Sequence, residues 1–308
     1  MRGYILLISL FLNSLVNAAS AEQATESIRP MKAVSWNIRL DTPNDAELAW
    51  PHRAGKVIQQ LQQQQPDIFG LQEVMLHQLL RIESALQGYQ RIGVGRDDGK
   101  NAGEFSPLFI RSSRFVIKDS GTFWFHPSWD PVAAQTGALQ NGDEEIGHGL
   151  IGKPGWDAAL PRICSWALLQ DKQSGKLLRV LNLHLDHQGA EARRESVQLI
   201  AAKIQHWQRT THAPVVVMGD FNPAAGDGLL AQIKTALPQY QDVLALTAKP
   251  QGPSYSFIPW RGTEADAVRL DFMLLRKDQF KVPAAGILAD GPPTQYSDHL
   301  ALWAEFEF

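Results

Sequence analysis

Cysteine is nearly absent. The single Cys164 excludes an intramolecular disulfide, so the fold must be held by its core. Within "PRICSWALL" it reads as a small buried apolar side chain rather than a reactive thiol. No cysteine lies near the end of the N-terminal apolar run, which excludes a lipid anchor on cysteine there. No cluster of Lys and Arg is visible and the net charge is −3, so the chain lacks the basic stripe of a protein that grips long nucleic acid. H-E-x-x-H, G-x-G-x-x-G and a Walker-type loop are missing too, which argues against zinc-protease and nucleotide-cofactor chemistry. Only one long apolar run exists, and it stands at the start. "MRGYILLISLFLNSLVNAASA" carries one charge, a short apolar stretch and small residues at its end, the pattern of a secretory signal. Residues 1–21 are therefore expected to be a signal peptide cut near Ala18 or Ala21, and the mature protein to be secreted or periplasmic without stable membrane insertion. The cut removes Arg2 and moves the net charge from −3 to −4.

What remains has an ordinary globular composition, 44% hydrophobic and 20% charged, with no repeat and no clear boundary. One domain over residues 30–308 is expected. "KAVSWNIRL" and "DIFGLQE" read as strands, with a helix between them that places Ala54, Val57, Ile58 and Leu61 on one face. "MLHQLLRIESALQG" reads as a second helix, and "SPLFIR" and "FVIKDSGTFWF" as strands. "RICSWALLQD" and "KLLRVLNLHL" form a hairpin about Ser174-Gly175. A helix bearing Val197, Ile200, Ala201, Ile204 and Trp207 follows, then the strands "PVVVMGDFN", "VRLDFMLLR" and "LALWAEFEF". Helix–strand alternation in the first half and strand pairs in the second predict an α/β (α+β) sandwich of two sheets covered by helices.

Polar residues recur at the ends of, or inside, these apolar strands: Asn37, Glu73, His184, Asp220, Asn222, Asp271, Asp298 and His299. A structural hydrogen bond explains any one of them, because a buried polar group is usually paired. Together they form a coherent set of carboxylates, amides and imidazoles. Oxygen donors of this kind suit a hard cation, Mg²⁺ or Mn²⁺. The same set suits phosphoester hydrolysis, with a cation to neutralise charge, a carboxylate to activate water and a histidine to donate to a phosphoryl oxygen. Spacing alone does not distribute these roles.

The ordered motifs "SWNIR", "LQE", "LNLHLDH", "GDFN", "RLDF" and "SDH" resemble the endonuclease/exonuclease/phosphatase superfamily from about Lys32 to the C-terminus. "EFSPLFIR", "SGTFWF" and "GWDAALPRICSWA" are further similar to a bacterial branch with ill-defined substrates. The resemblance implies a DNase I-like four-layer α-β-β-α sandwich of two mixed sheets. It implies Glu73 as a metal ligand, with Asn37 and Asp298 close to the ion or its waters. It implies Asp220 at the attacking water, Asn222 at the phosphate and Asp220, His299 facing the phosphate with its ring held by Asp271, and His184 as a second imidazole.

Other residues are read with an alternative beside them. Arg162 either reaches the substrate phosphate or pairs with an acid such as Asp157. Arg193 and Arg194 are expected on a solvated helix face, and His187 near the surface. Trp124, Trp129, Trp156 and Trp260 either wall the cleft or fill the core. Glu104 is expected near the cleft, beside Phe105, which has no hydroxyl to donate. The segment from about His126 to Trp156 is long and carries Asp143, Glu144 and Glu145; acids near a cleft would disfavour a polyanion. The expected activity is thus an exported metal-dependent phosphoesterase on a phosphate mono- or diester, with a small phosphorylated molecule favoured. A secreted nuclease on DNA or RNA is the alternative, followed by a phospholipid head-group hydrolase and an inactive binding module. A metal-free glycosidase leaves Asn37, Asn222 and both histidines unexplained.

Overall fold

The computed structural model describes residues 29–128, 150–289 and 295–308. The expected signal, Trp129 and the triplet Asp143, Glu144 and Glu145 lie outside them. Two six-stranded sheets form the centre. The first comprises β1 (Met31–Asn37), β2 (Ile68–Gln72), β3 (Tyr89–Ile92), β4 (Leu108–Arg111), β11 (Lys281–Ile287) and β12 (Leu302–Glu307), in the order β11-β12-β1-β2-β4-β3. The second comprises β5 (Phe115–Trp124), β6 (Ile163–Asp171), β7 (Leu177–His184), β8 (Val215–Asp220), β9 (Tyr240–Asp242) and β10 (Asp271–Arg276), in the order β5-β6-β7-β8-β10-β9. Both are mixed: β1 runs parallel to β2 and β7 parallel to β8, while the other ladders are antiparallel.

Strand periodicity sorts most of the apolar side chains into three cores, and a smaller fourth cluster gathers Trp124, Leu150 and Ile163. On β1, Ala33 turns inward, while Val34 and Trp36 turn out. On β8, Val216 and Met218 turn inward, while Val215 and Val217 turn out. The inward set of both sheets packs into one layer. The outward set of the first sheet packs on α1 (Trp50–Gln64) and α2 (Leu76–Ala85), and that of the second on α3 (Ala190–Gln208) and α4 (Leu229–Ala236). The result is the four-layer sandwich, with a short α5 (Val243–Leu246) beside β9.

Asn182 bridges the two sheets across the inter-sheet layer. Asn182 on β7 donates to the carbonyls of Leu71 and Pro107 at 2.9 and 3.0 Å and accepts from Gln72 Nε2 at 2.7 Å. A Cβ on Gly70 would sit 2.7 Å from Asn182 Oδ1, so a glycine is needed for the approach.

Register then decides where the polar strand ends go. Asn37 pairs with Gln72, His184 with Asp220, and Asp220 with Asp271. Glu73 follows Gln72 directly, and Asp298 and His299 stand just before β12, which runs antiparallel to β1. All of these residues therefore meet at one rim of the sandwich.

Candidate active site

At that rim Asn37 is the joint between the sheets. Its Nδ2 donates to Glu73 Oε1 at 2.9 Å and to Asp220 Oδ2 at 3.0 Å, and its Oδ1 accepts from the Arg39 backbone N–H. Glu73 has φ +59, a left-handed conformation costly for a side chain of its size, and Oε2 accepts from Leu40 N at 3.1 Å. Burial opposes ionisation of Glu73, yet the bond from Asn37 and the charges of His299 and Arg39 hold its pKa below the usual range. Asp298 is raised by burial first and by neighbours including Glu73, so two carboxylates crowd one region.

On the second sheet, Asp220 Oδ1 accepts from Asn222 N at 3.0 Å. Asn222 is also left-handed, φ +47, and its Nδ2 donates to Leu185 O. Burial and then Asp271 push Asp220 up to about 7. His299 Nδ1 lies 2.8 Å from Asp271 Oδ2, and its Nε2 lies 3.7 Å from Asp220 Oδ2. Burial alone would neutralise this ring; Asp271, Asp220 and Asp298 outweigh it and raise it to about 10. The ring is seated by Phe257, with centroids 4.9 Å apart, and by Ser297 Oγ, which accepts from His299 N.

His184 is the opposite case. Burial, then Arg162 and Arg96, push it well below the ordinary imidazole value, so it is neutral. Its Nε2 is 3.6 Å from Asp220 Oδ2 and its Nδ1 is 3.8 Å from Glu104 Oε2. The eight strand-end residues therefore sit together, with Nε2 of His184 and Nε2 of His299 3.6 and 3.7 Å from the same Asp220 Oδ2, the first ring pushed towards its neutral form and the second towards its charged one.

Several secondary expectations change. Arg162 pairs with Asp186 at 3.1 Å rather than with Asp157, because Asp157 accepts from the first backbone N–H groups of α3. Arg162 Nη2 meets His187 Nδ1 at 2.8 Å, and Nη1 is buried without a partner. Arg193 is not on a solvated face: it is buried and bonds Asp227 at 2.8 Å and the Asp186 carbonyl. Trp124 belongs to the core, with its N–H on the Arg96 carbonyl. Glu104 does lie beside His184, held by both terminal nitrogens of Arg96 at 2.9 and 2.7 Å. Arg39, Arg96 and Asp186 are the polar groups here that the strand-end pattern does not single out. Asp186 falls inside "LNLHLDH" and Arg39 inside "SWNIR", whereas Arg96, in the turn-rich "VGRDDG", carries no signal.

Asp220, Asp271 and His299 each offer a ligand atom within 4.8 Å of the others. The 2.8 Å bond between Asp271 and a positive His299 makes that trio a poor host for a second positive charge. The crowded acids Glu73 and Asp298, beside the Asn37 amide, have the donor chemistry of a hard divalent cation.

The Endonuclease/Exonuclease/phosphatase family model matches residues 34–299. Among solved structures, an endonuclease/exonuclease/phosphatase from Bacteroides vulgatus is 33% identical with a TM-score of 0.78, over 90% of this chain and 98% of that one. A Bacteroides thetaiotaomicron mannosyl-6-phosphatase is 30% identical with a TM-score of 0.74, over 90% and 100%. D. rerio TDP2 complexed with a single-strand DNA product shares the fold at 17% identity and a TM-score of 0.66, over 91% and 99%. No curated protein matches the sequence.

Proposed function

The chain belongs to the endonuclease/exonuclease/phosphatase family, a family of metal-dependent phosphoester hydrolases, and on that premise we propose that it cleaves a small phosphomonoester of the sugar-phosphate kind. The observation that carries this reading is the Asp220–His299–Asp271 row, an acid lifted to about 7 beside an imidazolium raised to about 10. The choice of a small sugar phosphate is supported by likeness to the mannosyl-6-phosphatase over that enzyme's whole length.

Glu73 would hold a divalent cation, with Asp298 and Asn37 beside it. When bound, the ion supplies neutralisation of the phosphate and of the leaving oxygen. Asp220, fixed by Asn37 and by the Asn222 N–H, accepts the proton of the attacking water; its lifted pKa makes it an effective base near neutral pH. His299 donates through Nε2 to a phosphoryl oxygen while Asp271 fixes Nδ1. Neutral His184, whose Nε2 is 3.6 Å from Asp220 Oδ2, offers a second contact to the phosphate. The unpartnered Nη1 of Arg162 is a donor for the phosphate, its other two nitrogens being engaged by Asp186 and His187. The P–O bond to the alcohol then breaks with its electron pair on the leaving oxygen.

Export of the mature chain belongs to the same proposal and rests on the pattern of residues 1–21. Among the described residues no helix is long and apolar enough to cross a membrane.

The test is product release from sugar phosphates, nucleotides, oligonucleotides and phospholipid head-group esters with Mg²⁺ and Mn²⁺. The wild-type protein and Asp220→Ala would be compared. Phosphate release from sugar phosphates, lost in the variant, is expected. Fragments from oligonucleotides alone would instead establish the nuclease reading.

A further inference from the structure

Arg39 stands two residues past Asn37 at φ +60, a conformation that a side-chain-bearing residue keeps only when its surroundings over-determine it. They do so here. Buried Arg53 donates to the carbonyls of Ile38, Arg39 and Leu40, and Gln78 Nε2 donates to the Arg39 carbonyl at 3.0 Å. The side chain is fixed as firmly. Arg39 Nε and Nη2 form a fork on buried Asp45 at 3.0 and 2.9 Å. The guanidinium then stands between the two crowded acids without bonding either: Nη1 is 3.7 Å from Glu73 Oε2 and Nε is 3.8 Å from Asp298 Oδ2. Its side chain is 27% exposed, beside the two acids of the rim.

Neutralising the two acids requires no such aim; a flexible lysine would do it. Asp45 instead spends a buried carboxylate on one orientation, which leaves Nη1 as the free corner of a fixed fork. We propose that Arg39 binds the substrate phosphate through Nη1 and so favours a doubly charged phosphomonoester over a singly charged diester. The inference rests on the phosphoesterase reading and names the substrate class of that site. Arg39 would add one more positively charged donor to those of the cation, His299 and Arg162, and a monoester presents one more anionic oxygen for it to bond than a diester does.

The experiment measures binding of inorganic phosphate to the Mn²⁺-loaded protein by calorimetry. It compares wild type, Arg39→Lys and the double variant Arg39→Gly with Asp45→Asn. Glycine accepts φ +60, and the asparagine avoids stranding a buried charge. Phosphate binding about tenfold or more weaker in the double variant is expected, as for a lost hydrogen bond to a charged group. Arg39→Lys should fall between the two, and Mn²⁺ binding should persist in all three. Hydrolysis of a monoester should drop at least about tenfold more than that of a matched diester. Unchanged phosphate affinity in a folded, Mn²⁺-binding variant would overturn the inference, and so would equal losses on both esters. Arg39→Lys keeps the question decidable should the double variant not fold. A wild type that binds phosphate yet hydrolyses no phosphoester would sink the phosphoesterase reading and leave phosphate binding to decide the role of Arg39.

Discussion

His299 carries its charge because of what faces it. Burial works against the imidazolium, and Asp271, the first of the acids that oppose burial, makes the 2.8 Å bond to Nδ1. Replacing Asp271 by Asn keeps the volume and a hydrogen-bond acceptor but removes the charge. The His299 pKa must then fall from about 10 toward neutrality. If its charged form acts on the phosphate, the alkaline limb of the pH–rate profile moves to lower pH, and kcat/KM at pH 8 drops by about 10²–10³, the usual loss for a donor aimed at developing charge. A profile whose alkaline limb stays in place would remove His299 from that role. The same residues show what a sequence conveys at this scale. Asp220, Asp271 and His299 were visible because each interrupts or abuts an apolar strand. Arg193 was not placed correctly, because a basic side chain reads as solvated unless its acid is known, and the acid that pairs with Arg162 is Asp186 rather than the expected Asp157. The acids concerned, Asp186 and Asp227, come from separate loops that only the fold brings near.

Strand β8 delivers Asp220 through a glycine. Gly219 has φ +145, and a Cβ there would stand 2.0 Å from the Leu183 carbonyl on β7, a backbone atom that cannot step aside. Gly219→Ala must therefore push β8 off β7 where the site is built. We expect a loss of more than ~2 kcal/mol from strain and broken pairing, read as a lower urea midpoint, together with reduced activity. An unchanged midpoint would mean that the sheet yields there cheaply. The long apolar strands β7, β8 and β10 were legible because their hydrophobic runs have no competing explanation. Edge elements were missed for physical reasons. In β3, "YQRI", the middle residues are exposed and Ile92 alone joins the inter-sheet core. β9 has three residues. In β11, "KVPAAGI" contains Pro283, which a central strand excludes; at the sheet's edge it is exposed and falls where the register slips between Lys281 and Ala284.

For the whole molecule, the alternation of strands and helices conveys two sheets covered by helices, while the four-layer order is what the family resemblance implies. The convergence of both sheets on one acidic rim has a thermodynamic consequence. The folded pKa of Asp220 is about 7 against an ordinary 3.8, so between those values the native state holds a proton that the unfolded chain has released. Stability then falls as pH rises through that window. Asp298 is raised as well and acts in the same direction. His299 adds stability that is complete below 6.5 and is lost as pH rises through about 10. Lowered Glu73 acts oppositely, but only at acid pH, as it protonates. From about pH 4 to 10 the metal-free rim is thus increasingly a concentration of unrelieved negative charge. A divalent cation bound to the folded state alone offsets this, by about 2.7 kcal/mol at a hundredfold excess over Kd. Protons compete for the same acids, so one fixed Mn²⁺ concentration should raise Tm more at pH 8 than at pH 5.5, and chelation should reverse the gain. An equal or larger gain at pH 5.5 would show that the ion binds away from this rim.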